Sequence, residues 1–433
     1  MMNLQRLFIR FALVMLLVTV LAGVIASFAF LFPASFNSVL PFHQLRPVHA
    51  SAALFWIITG AACCVGYFSG RQSKAFMVIW MITIAVIFLN YGFNNYGGRE
   101  YWEFPAYLNL PLLVAWLFFM VVFLKRLPKD APVYYWMWTS GVLFFLITFL
   151  EQNLWHIPWF RESFLREVTV QWKANGSMVG AWNQMINGLS VYLLVAISGN
   201  AGLAQKKKTW FLFFLGLFNL MFNWGHHVYN VPNSNWMRGV AYAVSMTEWV
   251  IIILIIRSFK SSLSAARKFR HLVVYRFISA AEFWVFANLL LALLMSIPAI
   301  NRYTHGTHIT VAHAMGTTIG INTMLLLAAF GYILDVDNLS ERTRKWLQVA
   351  IRINTVSLAV FWVALIVAGL AKGYLSVDHP ENSFFDVMKA VRPYLEVFTA
   401  AGLGVMIALG VIGVIYLRYS HERHSANKKE ITM

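Results

Sequence analysis

Asn223-Trp224-Gly225-His226-His227-Val228-Tyr229 closes a long apolar run. Two adjacent imidazoles in that place have two explanations. Either a helix ends at the water interface with both rings solvated, or the rings are a pair of metal ligands. The pair alone leaves both open, so other segments of the chain have to decide.

Of 433 residues, 60% are hydrophobic and only 12% charged, and the mean hydropathy is +0.65. Such values lie outside soluble globular usage and imply repeated bilayer spans. Uncharged or nearly uncharged stretches predict twelve transmembrane helices, at roughly 8–31, 49–69, 76–94, 107–124, 132–150, 177–199, 209–229, 239–256, 277–299, 306–334, 347–371 and 393–417. The expected fold is an all-α integral membrane protein, one membrane domain over residues 1–433 with a basic cytoplasmic tail at 419–433. Arg6 and Arg10 precede the first apolar run, as they do in signal peptides. A run of about 20 residues is longer than the usual apolar region of a signal peptide, so it is read as a retained span.

The loops alternate in charge. Arg71 and Lys74, then Lys125, Arg126 and Lys129, Lys206 to Lys208, Arg257 to Arg276, Arg342 to Lys345 and Arg418 to Lys429 all fall on one side. The positive-inside tendency makes that side, and both termini, cytoplasmic. The same asymmetry accounts for much of the formal charge of +17. With no soluble basic domain to do the binding, it speaks against nucleic acid as a partner and for the lipid bilayer. Cys63 and Cys64 are adjacent inside a span and are poorly placed to bridge each other; neither a disulfide framework nor a Cys-x-x-Cys-His haem attachment site is present.

This topology provides a test of the histidines. His49 opens the second helix, His226 and His227 end the seventh, and His308, His313 and Met315 lie early in the tenth, all at comparable depth in the outer half of the bilayer. Polar groups in hydrocarbon are costly unless paired or functional, so their convergence at one level favours a cofactor site within the bundle. In Tyr303-Thr304-His305-Gly306-Thr307-His308-Ile309-Thr310-Val311-Ala312-His313-Ala314-Met315-Gly316, His313 and Met315 are two residues apart. That spacing is about 200° around an α-helix, so the two face opposite ways. One helix can then offer an axial ligand to each of two haems, imidazole and thioether both being competent toward haem iron. A core-filling role remains the alternative for Met315. His305 and His308 read as interfacial or propionate-contacting groups.

Leu45-Arg46-Pro47-Val48-His49, Gly97-Gly98-Arg99-Glu100-Tyr101, Gly225-His226-His227 and Thr304-His305-Gly306-Thr307 through Ala312-His313 resemble, in order and spacing, the large catalytic subunit of bacterial nitric oxide reductases. Those proteins belong to the haem-copper oxidase superfamily. The similarity spans essentially the whole chain and implies the twelve-helix bundle of the subunit I type in a bacterial inner membrane. By this resemblance His49 is the ligand of a low-spin haem b, and His313 is the proximal ligand of a high-spin haem b3. His226 and His227 are two of three histidines holding a non-haem metal, iron with copper as the alternative. Glu100 matches an acidic residue that binds a calcium ion linking the haem propionates, a role that competes with a loop salt bridge to Arg99. Glu248 matches a glutamate near the active site, where a structural hydrogen bond competes with a proton-relay role.

Two departures from the family pattern stand out. The family's third non-haem ligand lies on the sixth helix in a His-x-x-x-Glu-Gly pattern. In the stretch read as its counterpart, Trp182-Asn183-Gln184-Met185-Ile186-Asn187-Gly188, Asn183 replaces the histidine and Asn187 the glutamate. An amide oxygen donates less strongly than imidazole and brings no charge, so a weaker or altered metal site is expected. The i, i+4 spacing puts both amides on one helix face, where interhelical hydrogen bonding is the alternative. The second departure is Met315, which stands where the family has the other low-spin haem ligand, a histidine. A His49/Met315 pair raises the haem potential relative to two imidazoles.

The activity implied is 2 NO + 2 e⁻ + 2 H⁺ → N₂O + H₂O. Electrons are expected from a membrane-anchored cytochrome c or a cupredoxin-like partner on the outer face, because the sequence carries neither a c-type haem motif nor a long soluble extension. Three alternatives stay open: a dismutase forming N₂ and O₂, an oxygen reductase, which the placement of Tyr229 disfavours, and a non-catalytic haem gas sensor.

Overall fold

In hydrocarbon every backbone N–H and C=O has to be satisfied within its own segment, so apolar runs of this length form helices. The computed structural model describes residues 2–247 except 126, 129, 230 and 233, together with 268 and 270–431. Its long helices are α1 (Met2–Leu31), α2 (Phe42–Phe68), α3 (Lys74–Gly92), α4 (Asn109–Leu124), α5 (Val133–Gln152) and α6 (Phe164–Ser198). They continue with α7 (Lys207–Phe222), α8 (Asn235–Met246), α9 (Leu272–Met295), α10 (His308–Leu334), α11 (Glu341–Val377) and α12 (Phe384–Ile431). Apart from an isolated bridge between Arg99 and Trp102, the described residues form no β pairing.

Nine of these helices, counted among the described residues, are long and apolar enough to cross a membrane. The expected number was twelve, and the shortfall lies in α6, α7 and α8. Helix α6 has 35 residues but carries Arg166, Glu167, Lys173 and a series of amides. Helix α7 has only 16 residues, and α8 has 12 before the chain passes out of the described residues. Glu248, the expected proton relay, lies outside the described residues.

Helix α1 belongs to the bundle. Phe8, Ile9, Ala12, Leu13 and Leu16 are buried, and Arg10 donates to Ser420 Oγ at 3.0 Å on α12. Fully buried tryptophans fill the interior, and several find acceptors for their indole N–H: Trp56 on Thr323, Trp80 on Thr59 and Trp116 on the Val142 carbonyl. Such pairing is what low-dielectric surroundings demand of a buried donor.

Three boundaries differ from expectation in ways that matter for the site. Helix α2 starts at Phe42 and tolerates Pro47 inside, so His49 sits two turns into the helix instead of opening it. Helix α7 gives way to a 3₁₀ turn over Asn223–Val228, which holds the histidine pair. Within α10 the segment Gly316–Thr323, directly after His313 and Met315, is π-helical. At the far end, α12 runs on as one helix through most of the expected basic tail.

Candidate haem and metal site

Helices α2 and α10 run side by side in the same direction. Trp56 Nε1 donates to Thr323 Oγ1 at 2.9 Å, and a Cβ on Gly60 would lie 3.1 Å from Leu326. Counting back along both helices from these contacts brings His49 level with Met315, within about one residue. His49 Nδ1 lies 2.9 Å from the Thr19 carbonyl of α1. A ring nitrogen that donates to a carbonyl leaves the opposite nitrogen, Nε2, unprotonated and able to bind a metal. Gly23 makes the room: a Cβ there would come within 2.7 Å of His49 Cε1 and Nδ1. Gly23→Ala is therefore expected to displace the ring, break the Thr19 bond and shift or bleach the low-spin haem band. An unchanged visible spectrum in that variant would separate His49 from the haem.

The 3₁₀ turn brings the rings of His226 and His227 to a centroid distance of 4.2 Å. His226 Nδ1 meets Ser245 Oγ at 3.2 Å on α8. His227 stacks on Trp172 of α6 at 4.8 Å with the rings 6° apart, and Trp172 also contacts His305 at 6.1 Å. His305 in turn hydrogen-bonds the His227 backbone. Both members of the pair interact electrostatically with His313 and His305, so the pair and the expected proximal ligand share one region. His227 is partly buried, with Trp172 and His226 against its ring, and is not a fully solvated ring at a helix end.

His313 is held through its backbone. Asn288 Nδ2 on α9 donates to the His313 carbonyl at 3.0 Å and to Thr317 Oγ1 at 2.7 Å. A Cβ on Gly316 would collide with Asn288 Oδ1, so only glycine lets α9 approach here. The adjoining π-helical turn is a form that recurs at functional sites. His313 Nδ1 is buried and makes no hydrogen bond of good geometry, the Asn288 backbone being the polar group it faces. With Nδ1 turned to a backbone group, Nε2 is the nitrogen that would serve an iron, as at His49.

Asn183 does not join the histidine pair. Helix α6 packs antiparallel to α7 and the 3₁₀ turn: Gln184 lies opposite Gly216, Gly180 opposite Leu220, Gly176 opposite Trp224 and Trp172 opposite His227. Asn183 is thus some nine residues along α6 from the level of the pair. At a rise of ~1.5 Å per residue that separation is roughly 13 Å, against a metal–ligand bond of about 2 Å. Its Oδ1 is buried without a partner, and Asn187, a turn further on, is exposed. The residue of α6 at the level of the pair is Asn175, 5% exposed, whose Oδ1 accepts from Gln152 Nε2 at the end of α5. Among the described residues no three His, Cys, Asp or Glu side chains are grouped to hold one metal ion.

Glu100 pairs with Arg46 at 3.0 Å, not with Arg99. Arg46, three residues before His49 on α2, also holds Glu103 at 2.6 Å. Burial raises the Glu103 carboxyl above its usual range, opposed by Arg46, and Glu103 Oε2 is a buried acceptor without a partner. Arg99 is engaged elsewhere, by Glu167, by Gln171 and by the face of Trp155. A Cβ on Gly98 would collide with the Trp102 carbonyl, which fixes the glycine in this loop.

The residues are compatible with two haems: His49 and Met315 stand at one level, and His313 would offer Nε2 to a second. They fit the non-haem metal only in part, since two imidazoles are present and Asn183 is out of reach. Sequence reasoning missed Gly23, Asn288, Trp172, Gln152 and Asn175. The Asn175-Gly176 and Val179-Gly180 steps were the available signal, because glycines at such spacing mark the helix face on which a neighbour packs closely.

Residues 3–404 match the family Cytochrome C and Quinol oxidase polypeptide I. A nitric oxide reductase subunit of Stutzerimonas stutzeri is 20% identical over 448 residues, covering 92% of this chain and 91% of that protein. Cytochrome c oxidase subunit 1 of Rhodobacter capsulatus is 21% identical over 430 residues, covering 92% and 79%. Reductase and oxidase relatives therefore stand equally near. A cryo-EM structure of a haem-copper terminal oxidase dimer has the same fold, with a TM-score of 0.74 at 13% identity over 97% of this chain and 84% of that one. The chain belongs to the cytochrome c and quinol oxidase polypeptide I family, the membrane-bound haem-copper oxidoreductases that bind haem and a second metal centre.

Proposed function

We propose that the chain reduces nitric oxide to nitrous oxide, with electrons supplied by a partner redox protein. The observation that carries the reading is the grouping of His226 and His227 with His313, beside a second level at His49 and Met315. Bound haem would supply the redox chemistry and the gas-binding iron. His49 and Met315 would hold a low-spin haem b that receives the electrons. His313 would hold the high-spin haem b3 and Asn288 would keep its helix turn in place. Trp172, stacked flat on His227, would shield that ring from water. Glu248 is the carboxyl proposed to relay protons, and Glu100 is the proposed calcium ligand, although Arg46 already neutralises it in part.

The donor proposed is a membrane-anchored cytochrome c or a cupredoxin-like protein on the face bearing the His49 end of α2. Both termini are proposed to lie in the bacterial cytoplasm, on the side of the basic loops. The incomplete donor set at the histidine pair favours a second reading, dismutation of NO to N₂ and O₂. One experiment separates the readings: purification with haem and metal counts, followed by anaerobic NO turnover with gas analysis. N₂O with reduced donor supports the reductase, and N₂ with O₂ supports the dismutase. Haem without turnover of either kind supports a gas sensor and overturns the proposal.

A further inference from the structure

We infer that Asn175, tied by Gln152, occupies and closes the position from which α6 would offer a third donor to a metal on His226 and His227. This rests on reading the pair as metal-holding. The register fixes the position, because Gly176 meets Trp224 two residues before His226 and Trp172 stacks on His227. Asn175 stands between them, about 60° around the helix from Trp172. Its side chain is buried and its Oδ1 accepts from Gln152 Nε2, which turns the amide oxygen toward the end of α5. The next turn of α6 offers Val179, which is no donor at all. Asn183 has a free buried oxygen but lies at the level of Leu217 on α7.

The consequence is a site of two imidazoles and a withheld amide, which holds a divalent ion more weakly than three imidazoles would and exchanges it with solvent chelators. Gln152 is then a positioning residue: it acts on the metal only by holding Asn175.

The test uses the full-length protein in detergent, loaded anaerobically with ferrous iron and dialysed against EDTA, with iron counted per haem. Haem content and visible spectrum report that each variant is folded. The wild type is expected to lose most of its non-haem iron. Asn175→His, which places a third imidazole at the inferred position, should retain about one iron per two haems, a several-fold gain, and Gln152→Leu, which frees the amide oxygen, should gain part of that. Asn183→His should behave as wild type. Retention by Asn183→His and not by Asn175→His overturns the inference, as does full retention by the wild type. His227→Ala keeps the two failures apart. If iron uptake before dialysis is unaffected by that change, the reading of the pair has failed; if uptake is abolished but Asn175→His retains nothing, only the inference has.

Discussion

Replacing His313 by alanine is expected to remove the high-spin haem and all gas turnover while leaving the low-spin haem in place. The substitution deletes the imidazole and little else. Alanine is the best helix former, and the contact that positions this turn, Asn288 to the His313 carbonyl, uses the backbone and survives. The ring itself makes no hydrogen bond of good geometry through Nδ1, facing only the Asn288 backbone. Losing the ring should therefore cost the fold little and the cofactor a great deal. His49 and Met315 are untouched, because Met315 lies about 200° around the helix. The expected result is a fall from two haems per chain to one by pyridine haemochrome assay, with loss of the carbon monoxide difference spectrum that a five-coordinate ferrous haem gives. A carbon monoxide signal of normal size in His313→Ala would remove His313 from the candidate ligands and take the proposed catalytic haem with it.

The parts of this site that were legible in the sequence are those set by a single helix. The apolar runs announce nine spans among the described residues, and the opposed faces of His313 and Met315 follow from helical geometry alone. The pair and His313 share one region in the structure, as their places along separate apolar runs lead one to expect. The misplaced element, Asn183, failed for a different reason. Which residue of α6 meets the pair is set by the slide of α6 along α7, and that slide is fixed by Gly176 and Gly180 admitting Trp224 and Leu220. Amides at i and i+4 ahead of a glycine occur twice on α6, at Gln171, Asn175 and Gly176 as well as at Asn183, Asn187 and Gly188. Spacing within a helix cannot tell the two apart, whereas packing between helices can. The 3₁₀ turn at the pair and the π-helical turn after Met315 escaped notice similarly, since both depend on contacts with α6 and α9 and not on local propensity.

Met315→His is expected to lower the potential of the low-spin haem and to convert its spectrum to that of a bis-imidazole haem. Thioether sulfur stabilises ferrous iron, so exchanging it for imidazole moves the potential downward. Axial ligands span ~0.8 V overall, and one exchange should move the potential by on the order of 0.1 V. The direction has a functional corollary. A lower potential makes this haem a better donor to the high-spin site but a poorer acceptor from the partner protein. Turnover with the physiological donor should then fall, while turnover with a strong chemical reductant holds or rises. A core-filling Met315 predicts something else: histidine at that position would bury a polar ring without an iron to bind, destabilising the bundle and leaving potential and spectrum as they were. The level match between His49 and Met315, fixed by Trp56 on Thr323 and Gly60 on Leu326, favours the ligand. Redox titration of the variant decides it, because packing has no route to a lower potential accompanied by a bis-imidazole spectrum.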